Sequence, residues 1–403
     1  MKIVEINTVF NGSTGKLMLS LADICKFKGH DVFCFATSPH KKVTANCYSV
    51  GNNLSSLLHS RLSYLFKNPE MNSFLATKAM IKKIEKISPD IIHIHNLHGF
   101  YLCLPLLFKY IKKTNKRVVW TLHDCWGFTG RCPHFLLMNC YKWKNGCFKC
   151  PYKKTDYPPA LFDVSQKMWK RKRKWFTGIN NLTIVTPSFW MASLVKESFL
   201  KEYEVKTINN GINLEIFKPT ENLFKRKIKA ENKFIVLGIS FNWSIKKGLD
   251  VFVELSKKLT KDFVVVLVGT NEEVDRLLPP SIVSIHKTQD QKELAEIYSS
   301  ANVFVNPTRE DNFPTVNLEA LACGTPVLTF DTGGCSETID DNCGKVLKTN
   351  SVEELKTEIL NIYNSSTIFK KNNCLKKANE FNAKTKLLEY VQLYEEKIRR
   401  EHE

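Results

Sequence analysis

The chain lacks any apolar run approaching the ~20 residues that span a bilayer as a helix. Its opening, MKIVEINTVF, reads as a β-strand and not as the charged, apolar and small-residue parts of a secretory signal. These two absences lead us to expect a cytoplasmic protein, or one at the inner face of the membrane. Internal repeats are missing too, apart from a strand–helix rhythm that runs through the chain twice. Acidic residues are in deficit, 40 against 59 Lys and Arg, which leaves a formal charge of +19. Such a charge calls for an acidic partner, and phospholipid, nucleic acid and phosphorylated substrate all qualify. Hydrophobic content of 43% and charged content of 25% are those of a globular protein. At 403 residues the chain exceeds one core of ordinary size, so two domains of roughly 200 residues each are expected.

The richest stretch is NVFVNPTREDNFPTVNLEALACGTPVLTFDTGGCSET, from Asn302 onward. Asn302 to Asn306 is a β-branched and aromatic run that Pro307 and a polar loop end as they would end a strand. Pro314 suits the first turn of a helix whose apolar side includes Leu318 and Leu321, and Gly324 and Pro326 stop it. Val327 to Phe330 is a second buried strand, and Gly333-Gly334 permits close backbone approach. In such a unit ligands bind where strands end and helix N-termini point, a ready place for phosphate. Glu319 sits on the helix among apolar residues, eight positions after Asp311.

The spacing acid-x7-Glu in DNFPTVNLE, with ALACGTPV and DTGGCSE behind it, resembles the donor-site signature of retaining glycosyltransferases of family 4. The resemblance covers nearly the whole chain and is closest to bacterial colanic acid and other surface-polysaccharide transferases. It implies the α/β GT-B fold: two Rossmann-like, doubly wound domains facing a cleft. We expect an acceptor-side domain over 1–215, with a Cys-rich insertion at 125–151. A nucleotide-sugar-binding domain should cover 216–384, and a C-terminal helix over 385–403 should cross back to the first domain. Family members mostly have Glu where this chain has Asp311, and Glu310 stands just before it.

Along the chain, strand Ile3 to Val9 leads through Asn11-Gly12-Ser13-Thr14-Gly15 into a helix expected near Lys16. Gly12 and Gly15 lack P-loop spacing and Leu17 stands where Ser or Thr should follow Lys16, so this is no P-loop. A tight turn would need only one of the glycines. By position the loop resembles the family's glycine loop facing donor diphosphate and acceptor. Ile91 to His95 alternates into a buried strand. His93, His95 and His98 carry two readings, a metal site or hydrogen-bonding core residues, and no nearby acid completes the metal one. His123 closes the strand Val118 to Leu122 and matches the family's strand-end His that contacts the donor sugar.

Cys125, Cys132, Cys140, Cys147 and Cys150 hold five of the 13 cysteines in one short segment. A structural zinc knuckle on Cys132, Cys140, Cys147 and Cys150, free thiols, an iron–sulfur cluster and disulfides all remain open, since only Cys147-x2-Cys150 has familiar spacing. The run Lys167 to Phe176 interleaves bases with aromatics. That suits an interfacial helix on anionic lipid, or a solvated basic face. The turn Asn209-Asn210-Gly211-Ile212 resembles the element that ends the family's first domain, and charged Lys218 to Lys233 reads as a linker.

In the second half, strand Phe234 to Ser240 leads to Lys246-Lys247-Gly248, which opens a helix at Leu249. A lysine beside a helix N-terminus clamps a diphosphate well. The family's Arg after the preceding glycine is replaced here by Ile239-Ser240 following Gly238, and Lys246 is expected to compensate. His286, Lys287 and Thr288 lie where the family reads the base.

The resemblance therefore implies a nucleotide-sugar-dependent transferase that retains configuration and needs no metal for chemistry. Lys247, with Lys246, Gly12 and Gly15, would face the diphosphate and Glu319 the ribose. Asp311, with Glu310 and Pro314 beside it, and His123 would orient the sugar. The expected acceptor is a glycan or polyprenyl-linked saccharide at an anionic membrane surface, with no nucleic acid partner. Two rival classes are a hydrolase or phosphorylase on the same fold and a zinc-dependent nucleic-acid-binding protein.

Overall fold

The computed structural model describes residues 1–37, 46–51, 57, 71–152, 163–365 and 368–399. The chain divides into two units, Met1–Ile208 with Leu387–Glu403, and Asn209–Lys386.

The first unit is built on β1 (Lys2–Val9), β2 (Asp31–Thr37), β3 (Cys47–Ser49), β4 (Ile91–Ile94), β5 (Arg117–Thr121), β6 (Leu182–Thr186) and β7 (Glu204–Thr207). They form one parallel sheet in the order β3-β2-β1-β4-β5-β6-β7. The order reverses between β1 and β4, which makes their carboxyl ends the natural ligand crevice.

The two-residue period of the strands sorts side chains between two cores. Val4, Ile6, Ile92, Ile94, Val118 and Trp120 face one core, which takes in the helices Phe74–Ile87 and Leu104–Thr114. Ile3, Ile91, Val119 and Val185 face the other, covered by helix Gly12–Phe27 and by Leu387 and Tyr394 of the C-terminal helix Ala383–Arg399. Glu5, His93 and Thr121 share the parity of that second face, which explains how polar residues come to be buried there together. Residues 400–403 of the expected C-terminal segment lie outside the described residues.

The second unit repeats the plan with β8 (Phe234–Ile239), β9 (Phe263–Val268), β10 (Ile282–Ile285), β11 (Val303–Asn306), β12 (Val327–Phe330) and β13 (Gly344–Leu347). The parallel order is β10-β9-β8-β11-β12-β13, with the reversal between β8 and β11. The unit's chain ends are tied together, because Ile212 N donates to Phe381 O at 2.8 Å and Ala383 N donates to Ile212 O at 2.9 Å.

One local expectation is corrected. Lys218 to Lys233 is no free linker: Phe224 and Ala230 are buried, and Asn222 Nδ2 donates to Glu296 O at 3.0 Å. Charge dominates that segment's composition, and a few apolar anchors settle its place. After Leu347 come the helices Val352–Asn364, Lys371–Asn379 and Ala383–Arg399. Edge strand β13, GKVL, is too short and too polar to have stood out.

Candidate functional site

In the first unit the loops after β1, β4 and β5 surround a pocket of about 410 Å³ lined by Thr8, Thr14, Asn96, His98, Trp126 and Pro133, among others. Both loop glycines are required, contrary to the single-glycine expectation. Gly12 has φ +70°, the left-handed region that favours glycine, while a Cβ on Gly15 would stand 2.4 Å from the carbonyl carbon of Phe10. The helix begins at Gly12 rather than near Lys16, so Gly15 lies on its first turn, pressed against the end of β1. Asn7 locks the arrangement: its amide donates to Val9 O at 3.0 Å and Thr14 Oγ1 at 3.2 Å, and its carbonyl accepts from Asn96 N at 3.2 Å.

The histidines do not share one role. His93 is a core residue, with Tyr394 Oη 2.6 Å from its Nδ1 and Thr121 Oγ1 2.8 Å from its Nε2. His98 turns into the pocket wall and bonds Asp124 at 2.9 Å. Burial would raise the Asp124 carboxyl, but His98 beside it holds it at about 2. His95 bridges Glu5 Oε2 at 2.7 Å and His123 Nε2 at 3.0 Å.

Glu5 is the acid that the sequence reading found missing near the histidines; β1 brings it from 90 residues away in sequence. Its carboxyl is held at about 2, since the hydrogen bonds and charges of His93 and His95 outweigh a burial that alone would raise it. Burial, then His93, lowers His95 to about 4, and burial with His95 drives His123 well below the usual imidazole range. All of this fixes the protons. Ionised Glu5 accepts from His95 Nε2–H, neutral His95 accepts at Nδ1 from His123 Nε2–H, and His123 is left with Nδ1 as its lone-pair nitrogen.

In the second unit the ends of β8 and β11 hold the other candidates. A 3₁₀ turn, Ile245–Lys247, precedes Gly248 and the helix Leu249–Lys258. Gly248 has φ +74°, and a Cβ there would stand 2.5 Å from Pro307 O, so only glycine lets the turn approach the loop after β11. Lys247 Nζ lies 2.7 Å from Asp311 Oδ2 and donates to Glu310 O at 3.3 Å; Lys246 Nζ lies 3.2 Å from Glu310 Oε2. Asp311 is 19% exposed at its side chain and Glu310 is 2% exposed. Arg309 forks onto Asp250 at 2.7 and 2.8 Å, joining the same two segments.

Pro314 is buried and caps helix Thr315–Ala322, on which Glu319 is half-buried and accepts from Tyr298 Oη at 2.9 Å. Thr288 follows β10 half-buried, and His286 bonds Asp275 at 2.6 Å.

Cys132, Cys140, Cys147 and Cys150 line a common small cavity, and none of them is in a disulfide. The basic helix, Ser165–Phe176, departs from the membrane reading. Met168, Trp169, Lys172 and Phe176 are buried, and Trp169 Nε1 donates to Trp143 O at 2.8 Å, so the aromatic face is spent on the core. Lys167, Lys170, Arg173 and Lys174 remain exposed.

The sequence did signal Glu5, an acid within the apolar run KIVEINTV, where alternation should have flagged a buried partner. Arg309 and Tyr298 gave no local signal, because their partners are distant in sequence.

Two parallel α/β units, each with an order reversal and polar side chains at its strand ends, define the GT-B class. Among solved structures, sucrose-phosphate synthase from Thermosynechococcus elongatus superposes with a TM-score of 0.71 at 18% identity, over 98% of both chains. HepE of Anabaena in complex with UDP gives 0.68 at 14%, over 98% of this chain and 100% of that one. The family model for Glycosyltransferase Family 4 matches residues 15–216, and that for Glycosyl transferases group 1 matches residues 219–382. The chain belongs to glycosyltransferase family 4.

It is 26% identical over 279 residues to a putative colanic acid biosynthesis glycosyl transferase, WcaC, of Escherichia coli, covering 66% of each chain. It is 29% identical over 180 residues to an N,N'-diacetylbacillosaminyl-diphospho-undecaprenol alpha-1,3-N-acetylgalactosaminyltransferase of Campylobacter jejuni, covering 42% of this chain and 47% of that one. The matches thus span just under two thirds and about half of these relatives. The two family models between them account for most of both halves of the chain.

Proposed function

We propose that the protein transfers a sugar, with retention, from a nucleoside diphosphate sugar to a saccharide acceptor in surface-polysaccharide assembly, a polyprenyl-linked saccharide being the acceptor class. The observation that carries the reading is the Lys247–Asp311 pair beside Gly248. There a cation and the N-terminus of a ten-residue helix meet a partly exposed carboxylate.

In the reaction the bond from the sugar's anomeric carbon to the diphosphate oxygen breaks with its electron pair on that oxygen, an acceptor hydroxyl oxygen bonds to carbon from the same face, and the hydroxyl proton passes to the departing diphosphate. Lys247 and the helix N–H groups stabilise the charge that appears on the departing phosphate. Asp311 accepts from a hydroxyl of the transferred sugar and Glu319 from the ribose. In the first unit His123, neutral and with its Nδ1 lone pair set by Glu5 and His95, is an acceptor for a saccharide hydroxyl. HepE, whose structures hold UDP and UDP-glucose, and the Campylobacter enzyme, whose name specifies a diphospho-undecaprenol acceptor, support these classes by likeness.

A charge of +19 and the exposed cations of the basic helix support work at an anionic membrane, held by charge rather than by inserted aromatics. The test is transfer of label from a panel of nucleotide sugars to lipid-linked saccharide acceptors. Nucleotide released with label in the acceptor supports the reading. Free sugar or sugar phosphate formed without an acceptor would instead indicate a hydrolase or phosphorylase.

A further inference from the structure

We infer that Cys132, Cys140, Cys147 and Cys150 bind one structural zinc ion as a tetrathiolate. The segment carrying them, residues 125–152, has no strand or α-helix, only the 3₁₀ turns Cys125–Gly127 and Lys142–Lys144. Yet it keeps Phe128, Phe135 and Trp143 at 0%, 1% and 1% exposure, with ring centroids 5.0 and 5.3 Å apart across Trp143. So irregular a backbone holding so tight a cluster needs a cross-link, and the four cysteines are placed to provide one.

All four sulfurs' residues line one cavity of about 10 Å³, room for a single water-sized guest. Asn139, Gly146 and Lys149, each just before a ligand cysteine, have φ of 45°, 118° and 45°, so the chain turns sharply into three of the four. Gly130 N donates to Cys147 Sγ at 3.1 Å. Such a bond stabilises negative sulfur. A Cβ on Gly130 would stand 2.8 Å from Cys147 Cβ, so only glycine brings that N–H so near.

Charge points the same way. A zinc tetrathiolate carries two negative charges, which buried cations must balance. Lys172 is 0% exposed, with its ammonium donating to Trp126 O at 2.8 Å and Thr129 O at 3.2 Å, and its charge favours the Cys147 thiolate. Arg131, 5% exposed, does the same for Cys150 and also faces Asp163, whose carboxylate accepts from Cys150 N at 2.9 Å.

No three of these sulfurs stand within 4.8 Å of one another, as the donor atoms of Glu5, His93 and His95 do. An ion holding each sulfur at about 2.3 Å would draw them together. The Glu5 cluster is a poorer metal site despite its spacing, because Tyr394, Thr121 and His123 already bond its donors.

The test is metal analysis of the full chain purified without chelator, with thiol titration before and after a zinc chelator. About one zinc per chain, with four thiols becoming reactive on its removal, is expected. The paired variant Cys147→Ser with Cys150→Ser should lose the zinc, while Cys374→Ser, at a buried cysteine of the other unit, should keep it. Should the paired variant fail to fold, replacing zinc by Co²⁺ in the wild type decides, since tetrahedral cobalt thiolate has strong visible absorption. A folded, metal-free wild type with these thiols reactive, a disulfide among them, bound iron, or no cobalt–thiolate band would overturn the assignment.

Discussion

Lys247 and Asp311, 64 residues apart, meet at 2.7 Å, while their neighbours Lys246 and Glu310 pair separately at 3.2 Å. The chain thus runs two parallel cation–acid pairs between the turn after β8 and the loop after β11. The outer acid, Asp311, keeps some exposure, and the inner one, Glu310, is buried. Their environments assign different work to two adjacent carboxylates.

Asp311→Asn should lower turnover by at least ~10-fold with nucleotide affinity little changed, because a hydrogen bond to the sugar that strengthens in the transition state acts on kcat. Glu310→Gln removes the buried acid of its pair with the part-exposed Lys246 and should destabilise the fold by about 1–3 kcal/mol, leaving the kinetics of the folded fraction near normal. Kinetics and urea unfolding of both variants check this. The opposite pattern means that Glu310 handles the sugar.

The histidine network sets a pH limit. His95 titrates at about 4 in the folded state, below its ordinary 6.5, and His123 lies well below its ordinary value. A group with a lowered folded pKa binds its proton mainly in the unfolded chain, so its stability contribution is full above the unfolded value and falls as pH drops. His95 alone should therefore remove roughly 3 kcal/mol between pH 6.5 and 4. Glu5, ionised down to about 2, loses its contribution as pH falls from 4.5 toward that value. Urea midpoints at pH 7.5, 5.5 and 4.5 should fall in that order, and in Glu5→Leu the fold should already be weakened at pH 7.5.

Gly248→Ala forces a side chain into left-handed backbone and against Pro307. It should cost at least ~1–3 kcal/mol and weaken nucleotide binding together with stability. Denaturation and nucleotide titration of the variant check it, and unchanged values in both would show that the close approach is dispensable.

If the membrane is met through charge, replacing Lys167, Lys170, Arg173 and Lys174 by Gln should remove up to ~4 kcal/mol of binding to anionic vesicles, at ~1 kcal/mol each. Trp169→Ala should act on stability instead, since that ring is 7% exposed and bonded to Trp143. Co-sedimentation with vesicles separates the two. Equal binding by the four-residue variant would rule out this face.

Much of the fold was legible because buried parallel strands such as Phe263–Val268 are nearly continuous apolar runs bounded by turn residues. The acids at Asp311 and Glu319 stood out through their spacing within one helix-and-loop segment. What sequence could not show was pairing over distance. Glu5 meets His95 across 90 residues, and Tyr394 reaches Glu5 across 389. The basic helix misled for a physical reason: a ten-residue run of bases and aromatics has the same composition whether its aromatics enter lipid or the core. Only the burial of Trp169, Lys172 and Phe176 decides.

The most direct test of the account is binding of nucleoside diphosphates by thermal shift, comparing the wild type with Lys247→Ala. At 100 times its dissociation constant, the right nucleotide should stabilise the wild type by ~2.7 kcal/mol. One base should be preferred, and the variant should show little or no shift. Failure of every nucleoside diphosphate and nucleotide sugar to shift the wild type, or an equal shift in Lys247→Ala, would contradict it.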